Sequence, residues 1–256
     1  MTIQGYSPTL LRPPLRAPFA PAPAEPQDSV HVASPREVAL LPGFDPVVAG
    51  TMVMAAMVAG MGGVSTAALA PTLVATLGER RAEISYSFTS LGMFSQGTLG
   101  EPDAPKDVSE SFLQMSDDKA RLAGTIGPWA EKLEVTPAES GLRLSGTVGE
   151  VAVDVTYGLG SGGDQERGSL GWASVHGLIG GQSYDVEATL APGRNGELGG
   201  FQVTGQLGGQ PITKTYTATA VNGASGVVLE GAGELAGAPQ AIRLEMNLAP
   251  DRFLSR

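Results

Sequence analysis

A short pattern (glycine, any residue, an aliphatic, then a small residue) recurs six times after residue 83 and constrains this chain more than any other feature. The copies are Gly97-Thr98-Leu99-Gly100, Gly124-Thr125-Ile126-Gly127, Gly146-Thr147-Val148-Gly149, Gly177-Leu178-Ile179-Gly180, Gly205-Gln206-Leu207-Gly208 and Gly233-Glu234-Leu235-Ala236. Their first glycines stand 27, 22, 31, 28 and 28 residues apart. Such spacing marks a repeated supersecondary unit. Each unit reads as strand, two-residue turn, strand. Gly149-Glu150, Gly180-Gly181, Gly208-Gly209 and Ala236-Gly237 supply the positive φ that tight hairpin turns require.

The turns fix a register, and side-chain alternation checks it. A turn at Gly180-Gly181 pairs Ile179 with Gln182, Gly177 with Tyr184, Val175 with Val186 and Ala173 with Ala188, an almost wholly apolar face. The same construction gives Leu142/Tyr157, Leu144/Val155 and Gly146/Val153, then Phe201/Tyr216 and Gly205/Ile212, then Val227/Met246, Leu229/Leu244 and Gly231/Ile242. The motif glycine repeatedly faces a large residue, as expected where a sheet bends or a neighbour covers the strand. Ser161-Gly162-Gly163-Asp164, Asn195-Gly196 and Asn222-Gly223 read as the links between units. The pattern weakens at Glu101-Pro102-Asp103-Ala104-Pro105, and 107–119 fits either a strand or a short helix. Lys214 and Glu131 fall on the predicted inner face and conflict with it.

The fold class expected is therefore mainly β: an antiparallel meander of about 10 to 12 strands, curled or closed as a barrel, because a sheet that wide does not stay flat. Its apolar face needs a cover, and the chain contains one. Residues 46–78 are 33 consecutive positions without a charge, rich in Ala, Gly and Val, and Asp45-Pro46 reads as a helix cap followed by proline at the first helical position. Met52, Met54, Met57 and Met61 suit adaptable core filling. Gly62-Gly63 and Pro71 should interrupt the helix. The expected organisation is a disordered Pro-rich arm over 1–44, an apolar helical segment over 45–82, a β-hairpin repeat domain over 83–250 and a tail over 251–256. The preferred arrangement closes the sheet around 46–78.

A membrane reading competes for the same segment. Its length exceeds the roughly 20 residues that span a bilayer, but its small residues insert weakly and no aromatic belt flanks it. A transmembrane barrel fits less well, since Arg143, Asp154, Asp185, Glu187, Arg243 and Glu245 fall on the outer face. The arm carries Arg12-Pro13-Pro14-Leu15-Arg16, which reads as linker or as a docking peptide.

Charge and composition exclude several function classes. The 256 residues include no Cys, two His and a formal net charge of −10, all of it carried by residues 83–256. Such a surface repels phosphate backbones, so nucleic acid is not an expected partner. No metal site and no cofactor is expected: His31 lies in the arm, His176 stands beside a turn, and Asp117-Asp118 and the 163–166 loop lack the spacing of a calcium loop. The glycine-rich run 158–163 lacks the residues of a phosphate loop. The one polar constellation is on the outer face: His176 opposite Asp185, Ser174 opposite Glu187, and Trp172 opposite Thr189. Ser, His and Asp there resemble the parts of a nucleophilic triad, but side chains standing upright on one sheet face, without an oxyanion loop, suit solvated cross-strand pairs first and a ligand or partner patch second. The function expected is non-enzymatic: structural, scaffolding or partner-binding. The alternatives are a membrane-anchored protein using 46–78, or a carrier of a lipid-like apolar ligand. Its place in the cell is open between cytoplasm, export and a membrane.

Overall fold

In the computed structural model, residues 32–52, 71–89, 92–116, 118–139, 141–159, 171–192, 198–220 and 226–247 are described. The Arg12–Arg16 motif, His31, Met54, Met57, Met61, Gly62-Gly63, Asp117, the glycine-rich links, the 163–166 loop and the tail lie outside them.

Fourteen antiparallel strands form one closed barrel in simple meander order. They are β1 (Thr72–Leu77), β2 (Arg80–Thr89), β3 (Gly92–Glu101), β4 (Ala104–Ser116), β5 (Lys119–Ile126), β6 (Trp129–Ala138), β7 (Gly141–Val148), β8 (Val151–Leu159), β9 (Gly171–Ile179), β10 (Gln182–Pro192), β11 (Leu198–Leu207), β12 (Gln210–Ala220), β13 (Gly226–Leu235) and β14 (Ala238–Asn247). An even number of up-and-down strands brings first and last together antiparallel, and β1 accordingly pairs with β14, Leu73 opposite Leu244 and Ala75 opposite Ile242. Closure removes both sheet edges.

The predicted registers hold: Val175 faces Val186, Leu144 faces Val155, Phe201 faces Tyr216 and Leu229 faces Leu244. The motif glycines are positions of close backbone approach. A Cβ on Gly97 would collide with the carbonyl oxygen of Glu83, one on Gly146 with that of Lys132, and one on Gly177 with that of Asp154. A ring of such glycines lets each strand press against its neighbour and bend the sheet into a cylinder.

Several expectations need correction. The strands number fourteen because β1 and β2 precede the first recognised repeat. Residues 72–77 and 80–82, assigned above to the helical segment, are strand with a tight turn between them: Leu73, Ala75 and Leu77 point inward while Thr72 and Thr76 point outward, a period of two hidden inside an uncharged run. Residues 107–116 are strand, and Pro102-Asp103 is a tight turn after all, with Glu101 facing Ala104. One register also shifts. Thr189 pairs with Gly171, not with Trp172, because the ladder steps past Trp172 in a bulge.

The barrel's filling begins earlier in the chain than expected. Residues 33–44, read above as arm, enter as helix α1 (Pro35–Leu40) and a 3-10 turn (Pro42–Phe44), followed by helix α2, described over 46–52. Ala33, Val38, Ala39, Leu40, Leu41, Phe44, Val47, Val48 and Met52 are all buried. Side chains can fill an eight-stranded barrel, whereas fourteen strands enclose more space than they fill, and this plug takes up part of the difference. Ser34 and Glu37 form a reciprocal capping box that starts α1. Helix α1 lies at the tight-turn end of the barrel, with Pro35 against Gly180, Ala33 against Gly149, and Glu37 paired to Arg80 at 2.7 Å.

Candidate functional site

Two groups of buried polar side chains share the barrel interior. The first secures the plug. Its 3-10 turn leaves carbonyls without backbone partners, and an unpaired buried carbonyl is expensive. Inward side chains from separate strands meet them: Gln240 Nε2 donates to Leu40 O (3.0 Å), Tyr157 Oη to Gly43 O (2.6 Å) and Tyr184 Oη to Phe44 O (2.9 Å). Asp45 is the centre of the group. Its Oδ1 caps α2 by accepting from the amides of Val47 (2.9 Å) and Val48 (3.2 Å), and its Oδ2 accepts from Lys214 Nζ (2.5 Å) and Tyr216 Oη (2.8 Å). Asp45 is 1% exposed and Lys214 2%. The inward Lys214 that conflicted with the sequence pattern is thus one half of a buried ion pair with a helix cap.

The second group lines a pocket of about 180 Å³ between the plug and the wall formed by β2 to β8. Val48 and Met52 of α2 close one side, and Met93, Phe112, Leu122 and Leu144 face them. Those four wall residues are only half-buried, as are Leu190, Val227 and Met246 farther round, whereas Val175, Val186, Val203 and Ile212 on β9 to β12 are buried. The described part of the plug therefore leaves space between itself and the β2 to β8 wall.

A polar row crosses that wall at one level. Tyr86 faces Ser95, Ser95 faces Glu110, Glu110 faces Gly124 and Gly124 faces Glu131. Gly124, the glycine of the second motif copy, has no side chain to separate the two glutamates, and they hydrogen-bond across it. Ser95 Oγ donates to Glu110 Oε2 at 2.5 Å. Glu131 is 4% exposed, and its Oε2 has no hydrogen-bond partner among the described residues. Burial pushes the Glu131 carboxyl well above its usual range, and the charge of Glu110 and the hydrogen bond to it push further the same way. A hydrogen bond between two carboxyls needs a proton on one of them, so Glu131 is held towards its neutral form. Tyr86 and Tyr157 also line the pocket; burial first, and the nearby carboxylates second, raise both phenols.

The sequence-predicted patch lies elsewhere, on the outer face. His176 and Asp185 face each other and pair at 2.6 Å between Nδ1 and Oδ1, both about half exposed. Ser174 faces Glu187 as expected, but Ser174 is buried and Glu187 half-buried. Trp172 sits in the bulge, and its side chain lies outside the described part. The structure thus joins His176 with Asp185 and gives Ser174 no bond to either. Arg143 forks onto Asp154 with two contacts of 2.7 Å, and Arg243 pairs with Glu230, all on the exposed face. Among the described residues no cluster of His, Asp and Glu has the makings of a metal site, and no helix is long and apolar enough to cross a membrane.

Sequence reasoning flagged Glu131 only as a conflict and missed Glu110. Glu110 lies in the stretch that fitted helix and strand alike, so its inward direction was not fixed. Comparison with protein-family models, curated proteins and solved structures finds no match to this chain.

Proposed function

We propose that this protein is a non-enzymatic binder or carrier of a small apolar molecule, held in the pocket between α2 and the β2 to β8 wall. The carrying observation is the apolar space that the described part of the plug leaves against the β2 to β8 wall, with a polar row in it. A dry cavity of roughly 150 Å³ is enough to hold a benzene ring. The space here, about 180 Å³, accommodates a ring or a medium alkyl chain. Apolar walls with a few convergent polar groups are the usual make-up of a small-molecule site. The outer face supports the same reading over a lipid-facing barrel, because Arg143, Asp154, His176, Asp185, Glu230 and Arg243 point to solvent and would be costly against hydrocarbon.

The test is thermal unfolding of the full chain with 1-octanol. A ligand at a hundred times its Kd stabilises by about 2.7 kcal/mol, which for a chain of this size raises Tm by roughly 5–10 °C. Leu144→Trp, which fills the pocket from β7, should remove the response. An unchanged Tm in the wild type, or a response that survives Leu144→Trp, defeats the reading.

A further inference from the structure

Resting on the reading of this pocket as a ligand site, we infer that its ligand carries a cationic amine end that docks on Glu131 and Glu110, with its apolar body along Met93, Phe112 and Leu144. The pocket wall holds two carboxyls and no lysine or arginine among its described residues. The other buried acid in this barrel, Asp45, has its countercharge built into the chain as Lys214. Among the described residues Glu131 has none, and one of its oxygens is buried there with no donor. A buried carboxyl left short of partners is costly, and the deficit calls for a donor or a positive charge supplied from outside. A protonated amine offers up to three donors and the charge together. Tyr86, Phe112 and Tyr157 add aromatic walls of the kind that favours a cation.

The chemistry has a proton signature. Docking an ammonium favours the ionised form of Glu131, so binding releases its proton, and affinity rises with pH until the amine itself loses its charge. The groups facing the pair are Tyr86 from β2 and Tyr157 from β8, which stay neutral, and the plug's Asp45, whose charge is matched by Lys214. The titration of Glu131 therefore dominates the pH dependence. A carboxylate-headed chain is disfavoured at the same place by like charge.

Isothermal titration of the full chain with octylamine, 1-octanol and octanoate, between pH 5 and pH 8 and in two buffers of different ionisation enthalpy, tests this. Octylamine is expected to bind at least about tenfold more tightly than octanol at pH 7, with proton release and with the preference shrinking towards pH 5. In Glu131→Gln octylamine and octanol should bind alike; Glu110→Gln serves if that variant does not fold. Octanol binding as tightly as octylamine, or a preference that persists in both variants, overturns the inference and leaves the pocket reading standing. Octylamine binding that survives Leu144→Trp is adsorption to the acidic surface and overturns it too. If none of the three ligands binds, the pocket reading itself falls.

Discussion

Asp45 and Glu131 are both carboxyls buried inside one barrel, and they are treated in opposite ways. Asp45 has all it needs: two amides from its own helix, a phenol from β12 and a lysine from the same strand. Glu131 has a second acid for a neighbour and an oxygen without a partner. Four groups converging on one carboxylate secure a segment; a shortage of partners beside open apolar space suits a site that a ligand completes. Burial is nearly equal in the two places, so burial alone does not tell a lock from a site. The difference lies in whether the chain supplies the countercharge.

The largest effect should come from breaking the lock. Asp45→Asn keeps an oxygen to cap α2 but strips the charge, leaving Lys214 buried without a counter-ion. Removing one partner of a buried ion pair destabilises by about 3–5 kcal/mol. Chemical denaturation should show a loss in that range, and Asp45→Asn with Lys214→Met should recover most of it. A single variant within about 1 kcal/mol of wild type, the scale of an ordinary surface ion pair, would mean that Asp45 is no more of a lock than Glu131.

Next comes the position that brings the two glutamates together. A Cβ on Gly124 meets the Ser109 carbonyl and the Glu110 Cα on the neighbouring strand. Neither is a flexible side chain that can swing away, so β5 must separate from β4. Overpacking of this kind costs about 1–3 kcal/mol, and Gly124→Ala belongs near the upper end. It should also part Glu110 from Glu131, so Gly124→Ala should bind any pocket ligand more weakly than wild type while leaving the Asp45 group intact. A variant with unchanged stability would show that the motif glycine is not needed for the close approach of the strands.

Much of this architecture was legible beforehand, and the gaps have physical causes. Hairpin register was readable because turn glycines and side-chain alternation are local and mutually checking, as Val175 with Val186 and Leu142 with Tyr157 illustrate. Strand β1 was obscured because its outward residues are Thr and Val, so its alternation merges with the uncharged run before it. The cluster from Val38 to Phe44 was obscured by the proline-rich composition around it. Lys214 and Glu131 were legible only as violations of the pattern. Resolving Lys214 required knowing that Asp45, 169 residues away, comes to the same point, and no local signal carries that. Violations of a pattern that otherwise holds mark where function or locking resides, since a chain tolerates local inconsistency chiefly there.

The last effect, which starts from nothing at pH 4.5 and is the smallest per pH unit, separates the two carboxyls by pH. In the folded barrel Glu131 keeps its proton to a higher pH than in the unfolded chain, where an ordinary glutamate titrates near 4.5. The folded state thus binds more protons above pH 4.5, and a raised acid of this kind contributes stability that is whole below the unfolded value and drains away as pH rises through the folded one. The loss is about 1.4 kcal/mol per pH unit across that window. Glu131→Gln removes the titration while leaving a group that can still hydrogen-bond to Glu110. Stability measured by denaturation should place the variant a fixed offset from wild type at and below pH 4.5, and increasingly above it as pH climbs towards 7. A difference that stays flat from pH 4.5 to pH 8 would show that Glu131 is not held protonated by the fold. It would then share with Asp45 a settled charge, and the contrast between a carboxyl the chain has satisfied and one it has left for a ligand would collapse.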